Sequence, residues 1–320
     1  GWELQVNGQR NQAFVPGGYG GGIPAGSLTG AVTTYTNTGG RIIANWAGTA
    51  SGGNLQVLQE TRVDTLASAV VVTTQFRNTG VTPIPGIYYM RSCDPDNDEA
   101  HCSFTYFSTN NTIVHQNEDA RHMVMVDAVG TCYPTSPTHL ALATKDCRAV
   151  AFIYTSWSLS GSVDLATVWG QTYGPPPFSA MYTLNGTLNG DVGIGLVYNI
   201  GTLAAGAQAI ISYAYIFNGN TGIDSAFPDP QLVVNNVPLP RVAPPNPDYD
   251  TFNTCSYPGL TTLPVDIRYG DDKDWSWSTW TWSPAVGLAS TTGVTNTINL
   301  STLPGIITYT ITGSDSASGM

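Results

Sequence analysis

Lysine is nearly missing from this sequence. Lys145 and Lys273 are the only two, and 11 basic residues face 22 acidic ones for a formal net charge of −11. Without a basic stripe to neutralise phosphates, nucleic acid is excluded as an expected partner, whereas an acidic surface attracts cations, divalent ones above all. Charge of either sign is scarce, at 10% of residues against about 25% in ordinary domains. Thr, Ser, Asn and Gly therefore supply the polar surface. No apolar run approaches the ~18 residues of a membrane-spanning helix, and the start of the chain lacks the basic and apolar segments of a signal peptide. Gly1-Trp2-Glu3 is not a natural translation start, so the sequence reads as a processed or excised part of a longer, exported chain.

Catalytic signatures are missing as well. His101, His115, His122 and His139 lack the HExxH spacing, and His115 and His122 would fall on opposite faces of one strand. There is no GxSxG elbow. The glycine run 17–22 lacks the Lys-Ser/Thr of a phosphate loop, and 190–195 precedes a strand rather than a dinucleotide-binding helix. Glu60, Asp64, Glu118, Asp119 and Asp127 single out no acid and base. The expectation is a chain that is not an enzyme and needs no organic cofactor.

Helical periodicity is also absent, with 164–169 the one short candidate. Runs rich in β-branched residues take its place, at 54–63, 69–76, 87–91, 104–107, 113–116, 122–126, 139–144, 149–154, 193–199 and 209–217. Strands punctuated by Gly, Asn and Pro turns predict an all-β fold, a large antiparallel β-sandwich over 1–227. Seven prolines then mark 228–247 as a semi-rigid spacer, within which Leu232-Val233-Val234 can add an edge strand to the first domain. A second unit occupies 248–320.

Five cysteines without CxxC spacing argue for disulfides and an oxidising compartment rather than zinc. Cys93 with Cys102 would close a loop over an acidic segment, and Cys132 with Cys147 would staple a hairpin; Cys255 is left over. In that acidic segment Asp94, Asp96, Asp98 and Glu99 stand in a spacing that could converge on Ca²⁺, the alternative being a solvated turn neutralised by Arg91. The EF-hand's glycine and closing glutamate are replaced by Glu99 and Thr105. Asp271-Asp272-Lys273-Asp274 is a second acidic turn, in which the lysine competes with a cation. Trp275, Trp277, Trp280 and Trp282 repeat with period two, so each pair shares a face that either packs a core or presents a ligand or assembly surface.

The segments 280–288 and 308–313 resemble the Ig-like or PKD-like repeats of surface adhesins from gliding bacteria. The resemblance implies a truncated Ig-like β-sandwich, in which Cys255 opens the repeat and its partner lies beyond Met320. The motifs 75–80, 88–96 and 201–206 are similar to large sandwich modules of bacterial surface proteins and to supersandwich domains attached to carbohydrate-active enzymes. Together these imply a secreted, structural or adhesive segment at the bacterial surface. Its partners would be a host or prey surface, a glycan, or copies of itself in a homo-oligomer. The alternative is a carbohydrate-binding module.

Overall fold

A computed structural model describes residues 2–13, 29–64, 68–102, 107–117, 123–132, 135, 137–155, 164–171, 180–217, 219, 223–227, 231–235, 237–238, 261–268, 278–302 and 307–315. Two compact units divide the chain, Gly1–Phe227 and Pro228–Met320.

The first unit contributes the strands β1 (Trp2–Val6), β2 (Gln9–Ala13), β3 (Thr29–Thr38), β4 (Arg41–Ala50), β5 (Leu55–Asp64), β6 (Ala69–Asn78), β7 (Ile84–Cys93), β8 (Thr109–Gln116), β9 (Val124–Gly130), β10 (His139–Thr144), β11 (Ala149–Tyr154), β12 (Ala180–Met181), β13 (Thr187–Gly190), β14 (Gly193–Leu203) and β15 (Gln208–Ile216), with the short helices α1 (Glu99–Cys102), α2 (Leu165–Trp169) and α3 (Ile223–Ala226). A six-stranded sheet runs β12-β11-β14-β7-β1-β2, and a nine-stranded sheet runs β13-β8-β9-β10-β15-β6-β5-β4-β3. Every described pairing is antiparallel. The chain is an all-β protein built on a large sandwich.

Sequence patterns explain which strands lie where. Along β6, Val72 and Phe76 point into the inter-sheet core while Val71 points to the opposite face, as a period of two requires. In β11 the apolar run is continuous because both faces are covered. Ala149, Ala151 and Ile153 enter the inter-sheet core, and Val150, Phe152 and Tyr154 pack beneath α2. Asp164 caps α2 by accepting from Thr167 N. Gln5 reaches across from β1, donating to Asp164 Oδ1 and accepting from Leu165 N, which fixes the helix on the six-stranded sheet.

The inter-sheet core holds Leu4, Leu55, Phe76, Ile87 and Ile113 together with the fully buried Tyr89, Tyr198 and Tyr213. The Tyr89 and Tyr213 hydroxyls satisfy one another across the two sheets at 3.0 Å. Arg91 Nε donates to the Tyr215 hydroxyl, and its guanidinium lies 5.1 Å from that ring's centre. At the wide end of the nine-stranded sheet, β3 is exposed along its whole length. There the Trp46 indole covers Gly30 and Gly48, where any Cβ would strike it, and meets Trp2 edge-on at 5.5 Å.

In the second unit, β16 (Gln231–Val234), β17 (Val237–Pro238), β18 (Thr262–Arg268) and β20 (Thr295–Asn299) form one sheet, ordered β17-β16-β18-β20, while β19 (Ser278–Ser283) pairs with β21 (Thr310–Asp315). The segment Leu232-Val233-Val234 thus joins the second unit instead of edging the first. Pairing Val234 with Val265 puts both in the small core around Trp282. Spacer residues 228–230, 236 and 239–247 and Cys255 lie outside the described residues, as do 104–106, 118–122 and 271–274.

Phe152→Ala, which empties the fully buried cluster under α2, should cost about 3–5 kcal/mol in urea unfolding. Val81→Ala, at a residue 92% exposed, should stay within about 0.5 kcal/mol.

Candidate functional site

The end of β7 leads into the acidic loop. Asp98 turns inward, 1% exposed. Its Oδ2 accepts from Cys132 N at 2.8 Å and its Oδ1 from Thr138 Oγ1 at 2.7 Å, over Gly130, where a Cβ would meet the carboxylate. Asn97 Nδ2 donates to Ala128 O. The loop is thereby docked on the β9–β10 end, and Cys102 in α1 is brought to Cys132, with which it forms a disulfide at a Cα–Cα distance of 6.4 Å. Neither pairing expected from the sequence forms. Cys93 keeps a free thiol, and Cys132 is joined to Cys102 rather than to Cys147. Burial pushes the Cys93 thiol up to about 12, so it stays protonated and unreactive at neutral pH.

The same inward turn alters the expected cation site. Asp98 is committed to Cys132 and Thr138, and Glu99 opens α1, so neither joins Asp94 and Asp96. Asp191 does instead: the carboxylate oxygens of Asp94, Asp96 and Asp191 lie within 4.8 Å of one another. The pairing of Cys93 with Ile194 in β14 delivers it, across nearly a hundred residues of sequence, so no local spacing could have announced it. Burial, then the charges of Asp96 and Asp191, pushes Asp94 up to about 6; Asp96 is raised by burial, then by Asp191 and Glu99. This oxygen-donor trio could hold a hard divalent cation.

Two shallow cavities lie among the described residues of the first unit. One, of about 350 Å³, lies beside Gln116 and Trp169. Its polar groups are engaged internally: Gln116 Nε2 donates to Ala151 O and Tyr182 O, its Oε1 accepts from Ala151 N, and Trp169 Nε1 donates to Arg148 O. The other, of about 420 Å³, runs across β3 to β6 and β15 past Thr34, Asn45, Glu60, Thr73 and Gln75, with Leu58 and Ile210 as apolar lining. Asn45 Nδ2 donates to Thr34 Oγ1, and Gln75 Nε2 to Gln208 Oε1. Strand register assembles this groove, and the alternating residues of 54–63 and 69–76 were its one sequence signal.

The two described tryptophans of the predicted surface pack a core instead of presenting a ligand face. Trp282 is 3% exposed, donates from Nε1 to Gly293 O, and packs with Trp280 in the core of the second unit. Trp275 and Trp277 fall outside the described residues. Asp127 and His139 hold one another at 2.8 Å, and Asp146 holds Arg148 at 2.7 Å.

Two outcomes follow from this geometry. Cys102→Ser should lower stability by about 3–4 kcal/mol, the loop-entropy value for a separation of 30 residues, while Cys93→Ser should leave the disulfide intact in a non-reducing peptide map. Asp94 binds its proton more tightly folded than unfolded, so the native chain loses stability as pH rises from about 4 to about 6 and does not regain it above. Asp94→Asn should therefore raise the melting temperature above pH 6 and leave it unchanged near pH 4.

No family model matches the chain, and no curated protein matches it. Among solved structures it is similar to a protein described as an aldose 1-epimerase from Klebsiella pneumoniae, at 11% identity over 57% of this chain and 52% of that one, with a TM-score of 0.30. It is similar to a polysaccharide lyase at 12% identity over 93% of this chain and 35% of that one, with a TM-score of 0.32. It is also similar to a GH36 α-galactosidase from Geobacillus stearothermophilus at 7% identity over 68% of this chain and 30% of that one, with a TM-score of 0.30. The chain spans about half or less of each of these proteins, and no part of the functional reading rests on them.

Proposed function

We propose that this chain is a non-catalytic, structural or adhesive segment of a large secreted bacterial surface protein. The observation that carries this reading is the Cys102–Cys132 disulfide, anchored by the buried Asp98 carboxylate. A cross-link so built into the end of a sandwich suits an oxidising, extracellular setting. The polar groups of the interior support the same reading, because they are tied to structure: Asp127 to His139, Asp146 to Arg148, Gln116 to Ala151 and Tyr182. Calcium on Asp94, Asp96 and Asp191 would fit such a segment: burial and then the charges of Asp96 and Asp191 raise the Asp94 pKa, and a cation would offset that repulsion.

A second reading, carbohydrate binding, is favoured by the groove over β3 to β6. Its amides, hydroxyls and single carboxylate over an apolar lining suit an uncharged polar ligand such as a glycan. The two readings part on a glycan array. Binding that Asn45→Ala and Gln75→Ala each weaken about tenfold would favour the second, and an array without binding would favour the first. In either case incubation with polysaccharides should release no product. Reducing ends that accumulate in proportion to protein and time would overturn the non-catalytic reading.

A further inference from the structure

The outer strand of the nine-stranded sheet, β3, has a described neighbour on one side only, and all ten of its residues are exposed. Its sequence, Thr-Gly-Ala-Val-Thr-Thr-Tyr-Thr-Asn-Thr, contains neither a charge nor a proline. Those are two of the devices by which edge strands ordinarily avoid pairing; a β-bulge is another, and the one on this strand acts differently. Among the exposed large apolar residues of the chain are Val32 at 65% and Tyr35 at 63%, both on this strand.

A β-bulge governs which way these two side chains face. Val32 lies opposite Trp46 and Thr34 opposite Asn45, so Thr33 is the extra residue, its hydroxyl donating back to Asn45 O. Residues three apart in a regular strand lie on opposite faces. The bulge cancels that: Val32 pairs with Trp46 and Tyr35 with Ala44, two residues apart on β4, so Val32 and Tyr35 share a face.

We infer that β3 is the pairing edge for a second copy of this chain, joined antiparallel about a twofold axis at Thr33 and Thr34. The register that engages all ten residues sets Thr29 against the second copy's Thr38, Gly30 against Asn37, Ala31 against Thr36, and Val32 against Tyr35. Each of those pairs matches in face only because of the bulge. In an unbulged ten-residue strand the same register would oppose residues from different faces, which an antiparallel ladder forbids. The contact therefore buries Val32 against Tyr35 twice and completes the ladder along about 30 Å. It brings no like charges together, although each copy carries −11. A strand from another protein would gain the hydrogen bonds but not the self-matching register. The inference does not depend on the adhesive reading, and a monomeric chain would leave that reading untouched.

Sedimentation velocity from about 1 to 200 µM at about 0.15 M salt tests it, with a monomer–dimer shift expected for the native chain. Val32→Lys with Tyr35→Lys places like charges opposite one another twice and should give a monomer throughout. Val32→Lys with Tyr35→Glu places opposite charges there and should keep the dimer. At concentrations where the native chain is monomeric, both double variants should melt with it, because the two positions are exposed in the single chain. Amides of 29–38 should exchange more slowly at the high concentration in the native chain and in the Lys/Glu variant, but not in the Lys/Lys variant. A native chain that stays monomeric, or two double variants that behave alike, would overturn the inference.

Discussion

A sheet of nine strands cannot be covered by a sheet of six, and the first unit is organised around that mismatch. Where the sheets overlap, apolar residues of β1, β7, β11 and β14 meet those of β5, β6, β9 and β15, and the three buried tyrosines fill the middle. Beyond the overlap, β3 and the first part of β4 have no opposing sheet among the described residues. Trp46 and Trp2 close the boundary between covered and uncovered surface, one ring from each sheet. The glycines beneath Trp46 are the local condition for that closure.

Electrostatics follow the same division. Charges inside the sandwich come with fixed partners, since a buried ion without compensation is costly. Burial raises the Asp127 pKa, and the hydrogen bond and charge of His139 offset that only in part. The acidic corner differs in its repulsion: Asp94, Asp96 and Asp191 crowd like charges across a short distance, and Asp96 Oδ1, like Asp127 Oδ1 in the sandwich, is buried without a hydrogen bond among the described residues.

What could be read in advance was what local pattern determines. The bounds of β10 and β11 match their apolar runs, and the short helix appears at 165–169 with Asp164 as its cap. The β3–β4 hairpin was not read, because the Thr, Gly and Asn of β3 give no alternation where both faces of that strand meet water. Its turn carried a signal nonetheless: Gly39 and Gly40 have φ of 61° and 84°, and Asn7 and Gly8 between β1 and β2 have 49° and 76°, two-residue loops of the kind that close hairpins. Disulfide partners and the third carboxylate depend on register between distant strands, which no local spacing encodes. The tryptophan repeat had the period of a strand, but period alone does not say whether a face is inside.

The placement of β14 and β15 has a consequence for how the protein is made. Consecutive in sequence, they go to different sheets and lie in the interior of each, β14 between β11 and β7, and β15 between β10 and β6. Before they arrive, each sheet is two unjoined halves. A chain emerging from its amino end can zip hairpins such as β3–β4 early, but it cannot close the sandwich until Ile216 pairs with Ala69. Long-range closure of this kind is slow, and it leaves the inner edges of both half-sheets unpaired until the last two strands of the unit have been made.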